Sequence, residues 1–325
     1  MLDRYGRNID YMRISVTDRC NLRCRYCMPR GVELCDMADL LTFEEIVQAA
    51  KTAAQLGIGH IKLTGGEPLV RRGLESLVRM LKAIDGIEQV TLTTNGTMLG
   101  QHLDSLVSAG LDAVNISLDT LDRKAYEEMT GTDALESVLT AVEAAARSGL
   151  RTKINAVSLP RSGEEIKALA ELSKDRPVDV RFIELMPIGC GRQFPGISHK
   201  ELLLQLWEMY PDLTPDLAVH GFGPAVYYKI PGYMGSVGLI SAIHGKFCDS
   251  CNRVRLTSKG FLKPCLCYDA GTDLREILRS QLPAEEKDKK LLETMRAVIF
   301  DKPKAHCFEN EQGITEESLM SSFGG

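Results

Sequence analysis

Residues 11–27 read Tyr11-Met-Arg13-Ile-Ser-Val16-Thr-Asp-Arg-Cys20-Asn-Leu-Arg-Cys24-Arg-Tyr26-Cys27. In the first six, Tyr11, Arg13 and Ser15 share one face and the apolar residues the other, the period of a half-buried β-strand. The loop that leaves this strand carries cysteines at C-x3-C-x2-C spacing. Three thiolates so close in sequence can wrap one face of a metal cluster. A cubane 4Fe–4S cluster has four irons, so three ligands leave one iron with an open coordination position, where chemistry can occur. The same spacing suits a zinc ion completed by a distant residue, or three unlinked thiols.

Outward from this stretch, strand patterns recur at 60–64, 90–94, 113–118, 151–157 and 178–185. Amphipathic helical runs separate them. In the first, Phe43, Ile46, Val47, Ala50 and Ala54 lie on one face behind a Thr42/Glu45 capping box. Others read at 72–84, 101–109, 134–148, 163–174 and 199–210. Strands alternating with helices predict parallel pairing through right-handed crossovers. The expected fold is α/β, an incomplete (βα)-barrel of about six units, with a doubly wound open sheet as the alternative. From 187 the chain turns rich in Gly and Pro. Short strands are expected at 225–230, 237–242, 253–257 and 261–263, and helices near 273–280 and 284–300. A boundary near residue 215 would divide a barrel region, 1–215, from a smaller α+β region, 216–325.

The 325 residues carry 39 Lys+Arg against 44 Asp+Glu, a net charge of −5, with 44% hydrophobic and 26% charged residues. These fractions exclude a disordered or collagen-like chain. No apolar run approaches the ~20 residues of a membrane span, and the first residues lack a secretory pattern. A cytoplasmic protein that binds neither nucleic acid nor membrane is expected, with any anionic ligand held by a local cluster of positive charge. Ten cysteines in such a chain point to metal before disulfides.

Three further features carry chemistry. Thr64-Gly65-Gly66-Glu67-Pro68 follows the second strand, with two glycines that let backbone approach a ligand and a carboxylate acceptor beside them. Cys248-Asp-Ser-Cys251 is followed, after thirteen intervening residues, by Cys265 and then Cys267, a spacing a structural zinc ribbon also shows. Arg253 and Arg255 come just after Cys251, on one face of a short strand, as a phosphate or purine ligand would require. Finally, the expected strands each carry a polar stripe. Arg13, Lys62, Asn115, Ser117, Asp119, Lys153, Asn155 and Arg181 would face the lumen while apolar neighbours pack under the helices.

The cysteine motif after strand one, with Tyr26 before its third cysteine and Gly65-Gly66-Glu67-Pro68 after strand two, resembles the radical S-adenosylmethionine (SAM) superfamily. Four further segments narrow it: R-I-S-V-T-D-R-C-N-L-R-C-x-Y-C-M-P, L-T-T-N-G, R-F-I-E-L-M-P and F-C-x-x-C-N-R-x-R-L. Together with the final Gly324-Gly325, they resemble one family within it, the GTP 3′,8-cyclases (molybdenum cofactor biosynthesis protein A). The resemblance implies two 4Fe–4S clusters. Cys20, Cys24 and Cys27 would hold one, whose open iron chelates SAM and cleaves it to a 5′-deoxyadenosyl radical. Cys248, Cys251 and Cys265 would hold the other, facing guanine. Tyr26, Gly65, Gly66, Glu67, Ser117 and Met186 would surround SAM. Arg13, Lys62, Thr93, Lys153, Arg181, Arg253, Val254 and Arg255 would contact GTP, with Gly324 and Gly325 reaching into the active site. The implied reaction joins C3′ of GTP to C8, giving (8S)-3′,8-cyclo-7,8-dihydroguanosine 5′-triphosphate, the first step of molybdenum cofactor biosynthesis. A flavodoxin- or ferredoxin-like electron donor, cyclic pyranopterin monophosphate synthase as product acceptor, and a homodimer are the implied partners. Two positions depart from the family pattern: Lys62 stands where Arg is expected, and Cys267 where a non-cysteine is, and it reads as a spare thiol. Cys35, Cys190 and Cys307 read as small buried hydrophobes. The rival readings are a radical SAM peptide maturase with an auxiliary cluster and a zinc-ribbon interaction protein.

Overall fold

In the computed structural model, which describes residues 1–323, the alternation read from the sequence becomes one continuous sheet. Gly324 and Gly325, and the expectation attached to them, lie outside the described residues. In chain order the elements are β1 (Tyr11–Ser15), α1 (Phe43–Gln55), β2 (His60–Thr64), α2 (Leu74–Lys82), β3 (Gln89–Thr94), α3 (Leu99–Ser108), β4 (Ala113–Ser117), α4 (Arg123–Thr130), α5 (Leu135–Arg147), β5 (Arg151–Val157), α6 (Gly163–Glu171), β6 (Val178–Ile183) and α7 (His199–Met209). There follow β7 (Thr214–Asp216), β8 (Val226–Lys229), β9 (Val237–Ile240), β10 (Arg253–Leu256), β11 (Phe261–Lys263), β12 (Thr272–Asp273), α8 (Arg275–Leu278) and α9 (Ala284–Phe300).

The strand order is β12-β11-β10-β1-β2-β3-β4-β5-β6-β9-β8-β7. From β1 to β6 the strands are parallel and follow the sequence without reversal. That is barrel-type winding; a doubly wound sheet would switch direction at an internal strand. Residues after 215 extend both edges of the barrel sheet. β9 pairs in parallel with β6, and β10 in parallel with β1. Antiparallel strands then finish each edge.

Strand alternation sorts the side chains as expected. Met12, Ile14, Ile61, Leu63, Leu92, Val114, Ile116, Ile154, Val180 and Phe182 are buried in the main core, which the helices cover. The Thr42/Glu45 capping box forms, Glu45 N donating to Thr42 Oγ1 (3.2 Å) and Thr42 N to Glu45 Oε2 (2.7 Å). Helix α4 was not expected. Its Arg-Lys-Ala-Tyr-Glu-Glu-Met-Thr run buries only Tyr126 and Thr130, too few apolar positions to show a helical period. It is held instead by its ends: the Asp122 side chain accepts from Ala125 N, and Gly131 takes the left-handed conformation at φ +75°. Among the described residues no helix is long and apolar enough to cross a membrane.

Candidate active site

The polar faces of the parallel strands wall a cavity of about 380 Å³. Both cysteine triplets line it, Cys20, Cys24 and Cys27 together with Cys248, Cys251 and Cys265. Because β1 and β10 run parallel, the loop after β1 and the loop before β10 lie at opposite ends of the sheet. Cys265 follows β11, antiparallel to β10, and so joins Cys251 at its end. The fold thus sets the triplets at the two ends of one cavity.

At the first end, Cys27 N and Met28 N both donate to Cys24 O, closing a turn. Arg23 N and Arg25 N donate to Thr130 O and Met129 O, tying the cysteine loop to the end of α4. The Cys20 thiol accepts from Leu22 N (3.4 Å) and Asn95 Nδ2 (3.8 Å). Gly65 and Gly66 line the cavity, but the space their missing Cβ atoms free is filled by the cysteine loop. A Cβ on Gly65 would lie 2.6 Å from Thr17 O, and one on Gly66 2.3 Å from Arg19 O. Gly66 N and Glu67 N donate to those same carbonyls. Glu67 itself is fully buried and does not reach the cavity. Its carboxylate accepts from Leu69 N (3.0 Å), Thr94 Oγ1 (2.7 Å) and Asn95 N (2.6 Å), so it fixes Asn95 behind Cys20. Loss of water outweighs these donors and raises its pKa to about 7. The Tyr26 hydroxyl donates to Asp119 Oδ2 (2.6 Å), whose Oδ1 accepts from Val157 N. Ser117 and Met186 also line the cavity.

Burial raises all three thiols of this triplet, Cys27 to about 12, and neighbouring thiols add to the shift at Cys24 and Cys27. Three soft sulfur donors without an imidazole or carboxylate among them are the ligand set of an iron–sulfur cluster. Among the described residues no three His, Cys, Asp or Glu converge as one metal ion requires.

At the second end, Arg7 organises the loop. Its guanidinium is paired with Asp3 and donates to Cys248 O (2.9 Å), Lys304 O (2.8 Å) and Pro303 O (2.7 Å). His306 N donates to the Cys248 thiol (3.5 Å). Burial raises the Cys251 thiol, but the nearby Lys302 ammonium and Arg253 guanidinium outweigh it and hold the pKa below the ordinary value. The Arg253 guanidinium lies over the rings of Tyr11 and Phe247, 5.6 Å from each centroid. Cys267 is off the cavity. It is fully buried beside Phe308, Ile314 and Phe323, its sulfur 3.4 Å from that of Cys307.

Between the ends the wall is cationic. In register, Arg13 sits between Lys62 on β2 and Arg255 on β10, and Asn115 pairs with Lys153. Arg181 donates twice to Asn155 Oδ1 (2.9 and 2.6 Å). Lys153 donates to Tyr227 Oη (3.1 Å) and to His220 O. Desolvation depresses Arg13, Lys62, Lys153 and Arg255, and repulsion from neighbouring cations adds to it. Lys62 falls well below its ordinary value, Lys153 to about 7, Arg13 to about 10, and Arg255 is also strongly lowered. A cavity that crowds cations this way is stabilised by a polyanion. Thr93 lines it as well. Val254 does not: it lies on the opposite face of β10, 1% exposed and inside the core, because strand alternation turns it away from Arg253 and Arg255.

The described part of the C-terminal tail enters the same space. Met320 lines the cavity, the Ser321 backbone is hydrogen-bonded to the Cys27 thiol, and Phe323 O accepts from Arg255 Nη1 (3.4 Å). Sequence reading missed several functional side chains: Arg7, Asn95, Lys302 and the His220–Pro224 wall. Only Asn95 had a signal, inside the L-T-T-N-G segment.

Known proteins share both halves of this arrangement. Residues 14–173 match the Radical SAM superfamily, and residues 178–308 match Molybdenum Cofactor Synthesis C. The chain is 40% identical to the GTP 3′,8-cyclase of Clostridium perfringens and 43% identical to that of Moorella thermoacetica, with 100% of each chain covered in both cases. Streptococcus suis SuiB bound to S-adenosylmethionine shares the fold at 13% identity, with a TM-score of 0.67 over 96% of this chain and 76% of that one. Two thiol triplets flanking a cationic cavity, and full-length identity at this level, lead to one assignment: the chain belongs to the GTP 3′,8-cyclase family of the radical SAM superfamily.

Proposed function

We propose that this chain converts GTP to (8S)-3′,8-cyclo-7,8-dihydroguanosine 5′-triphosphate, the first step of molybdenum cofactor biosynthesis. The observation that carries the reading is the single cavity with a thiol triplet at each end and positive charge between them. Cys20, Cys24 and Cys27 would hold a 4Fe–4S cluster, which with SAM would supply the radical chemistry for hydrogen abstraction at C3′, and the C3′–C8 ring closure would be completed by one electron and one proton. The protein's part is to bind, orient and exclude water. Tyr26, Gly65, Gly66, Ser117 and Met186 shape the SAM place, and Glu67 acts from behind through Asn95. Arg13, Lys62, Thr93, Lys153 and Arg181 hold the triphosphate. Lys62 does so as a point charge rather than a planar fork. Arg253 and Arg255 would frame the guanine beside a second cluster on Cys248, Cys251 and Cys265.

The division near residue 215 then separates SAM chemistry from base recognition. A flavodoxin- or ferredoxin-like protein would deliver the electron, and cyclic pyranopterin monophosphate synthase would take the product. We further propose a homodimer in the cytoplasm. The cationic wall and the identity to GTP 3′,8-cyclases support this reading over a peptide maturase. Anaerobic incubation with SAM, a reductant and GTP, read by mass spectrometry, tests it. Formation of 5′-deoxyadenosine together with a cyclised nucleotide, and no such nucleotide from ATP, is expected. SAM cleavage that ignores the nucleotide would refute it.

A further inference from the structure

The segment Lys302-Pro-Lys-Ala-His306 leaves α9 and runs past both stretches that carry the second cysteine triplet. Lys302 is 2% exposed, yet it lines the cavity. Its ammonium donates to Arg253 O (3.0 Å), two residues past Cys251, and to Pro264 O (2.6 Å), the residue before Cys265. It also reaches the Cys251 thiol. One side chain therefore cross-links the two ligand stretches. Arg7 grips the backbone of the same segment while donating to Cys248 O, which brings the third cysteine into the frame.

A buried ammonium needs compensating charge. The partners of Lys302 among the described residues are two carbonyls and a thiol, not a carboxylate. Three thiolates around a 4Fe–4S core would give that end of the cavity a net negative charge. We propose that Lys302 is the positioning residue and counter-cation of the second cluster, holding the Cys251 and Cys265 stretches in one frame and placing a positive charge against Cys251. The proposal rests on the reading that Cys248, Cys251 and Cys265 carry a cluster. Adding an electron to the cluster adds negative charge, so a neighbouring ammonium favours the reduced form and raises the midpoint potential. Partners behind the ligands tune a metal site in this way without touching the metal.

The test uses the full chain with Cys20→Ala, Cys24→Ala and Cys27→Ala, which after anaerobic reconstitution holds the second cluster alone, about four irons per chain. In that background Lys302→Gln is expected to shift the midpoint potential to more negative values. Lys302→Arg should return it toward the parent, and Lys302→Met should lose most of the iron. In the chain with all its cysteines, Lys302→Met should keep the first cluster, which shows that the loss is local rather than a failure to fold. A Lys302→Gln protein with the parent's potential, or a Lys302→Met protein with the parent's iron, would overturn the proposal. If the triple-alanine parent takes up no iron, the second-cluster reading itself has failed, and the Lys302 role falls with it.

Discussion

Lys153 sits at the start of a strand whose other face is core, and its ammonium meets a hydroxyl and a carbonyl while Arg151 and Arg181 crowd it. Burial, with these two arginines adding to it and Asp179 partly offsetting them, lowers the pKa to about 7. On the proposed role of Lys153 in holding the triphosphate, binding would favour its protonated form and draw a proton onto it above that pH. The sign is fixed: a depressed lysine pKa favours the empty folded chain at high pH, and that advantage is lost as pH falls through about 7. GTP affinity should therefore weaken as pH rises above neutral, by up to about tenfold per unit for each proton taken up. Calorimetry in buffers of different ionisation enthalpy would measure the uptake. Lys153→Arg should remove this lysine's share of the slope; an unchanged slope would contradict the assignment. Such side chains were legible in the sequence because strand alternation alone sorts Arg13, Lys62, Lys153 and Arg181 from their apolar neighbours. Arg7 and Lys302 were not, because each acts on backbone that lies far away in sequence and only the fold brings near.

At the scale of elements, the loop after β2 locks the loop after β1. Gly66 is where they touch most closely, and any Cβ there meets the Arg19 carbonyl at 2.3 Å. Backbone cannot swing aside as a long side chain can. Gly66→Ala should displace the cysteine loop and lower iron after reconstitution from about eight to about four per chain. The second cluster's signal should remain, which electron paramagnetic resonance can check. Loss of both clusters together would mean that the two loops do not act as a unit. β10 offers the complementary case. Val254→Asp would bury a carboxylate in the core between the edge strands and the helices. A destabilisation of about 3 kcal/mol or more is expected in thermal or denaturant unfolding. A value near zero would place β10 outside the core. The winding from β1 to β6 could be read from periodicity, helped by capping boxes such as Thr42/Glu45. The attachment of β9 and β10 to opposite edges could not, since nothing local specifies a register such as Tyr11 with Arg253. Helix α4 escaped for a related reason: its end caps and its ties to Arg23 and Arg25 hold it more than its own apolar face does.

For the whole molecule, the two ends of the chain converge on one interior. The N-terminal Arg7, the barrel strands, the β10 arginines and the tail up to Phe323 all border or brace the same cavity. Its charge opposes that of the protein, which carries −5 overall. Anion binding should therefore be dominated by desolvated contacts and respond only weakly to added salt. Loss of the terminal phosphates should weaken binding by on the order of a hundredfold from GTP to GMP, about 2.7 kcal/mol. Equilibrium binding to the anaerobic protein would show it, and equal affinity for the two would contradict a triphosphate site. In the proposed reaction one cavity holds the ribose of GTP toward the Cys20/Cys24/Cys27 end and its base toward the Cys248/Cys251/Cys265 end. Anaerobic turnover of GTP deuterated at C3′ tests it most directly. Deuterium should appear in 5′-deoxyadenosine alongside the cyclised nucleotide, and Cys251→Ala should suppress the transfer. 5′-Deoxyadenosine free of deuterium, or undiminished transfer in Cys251→Ala, would contradict the account.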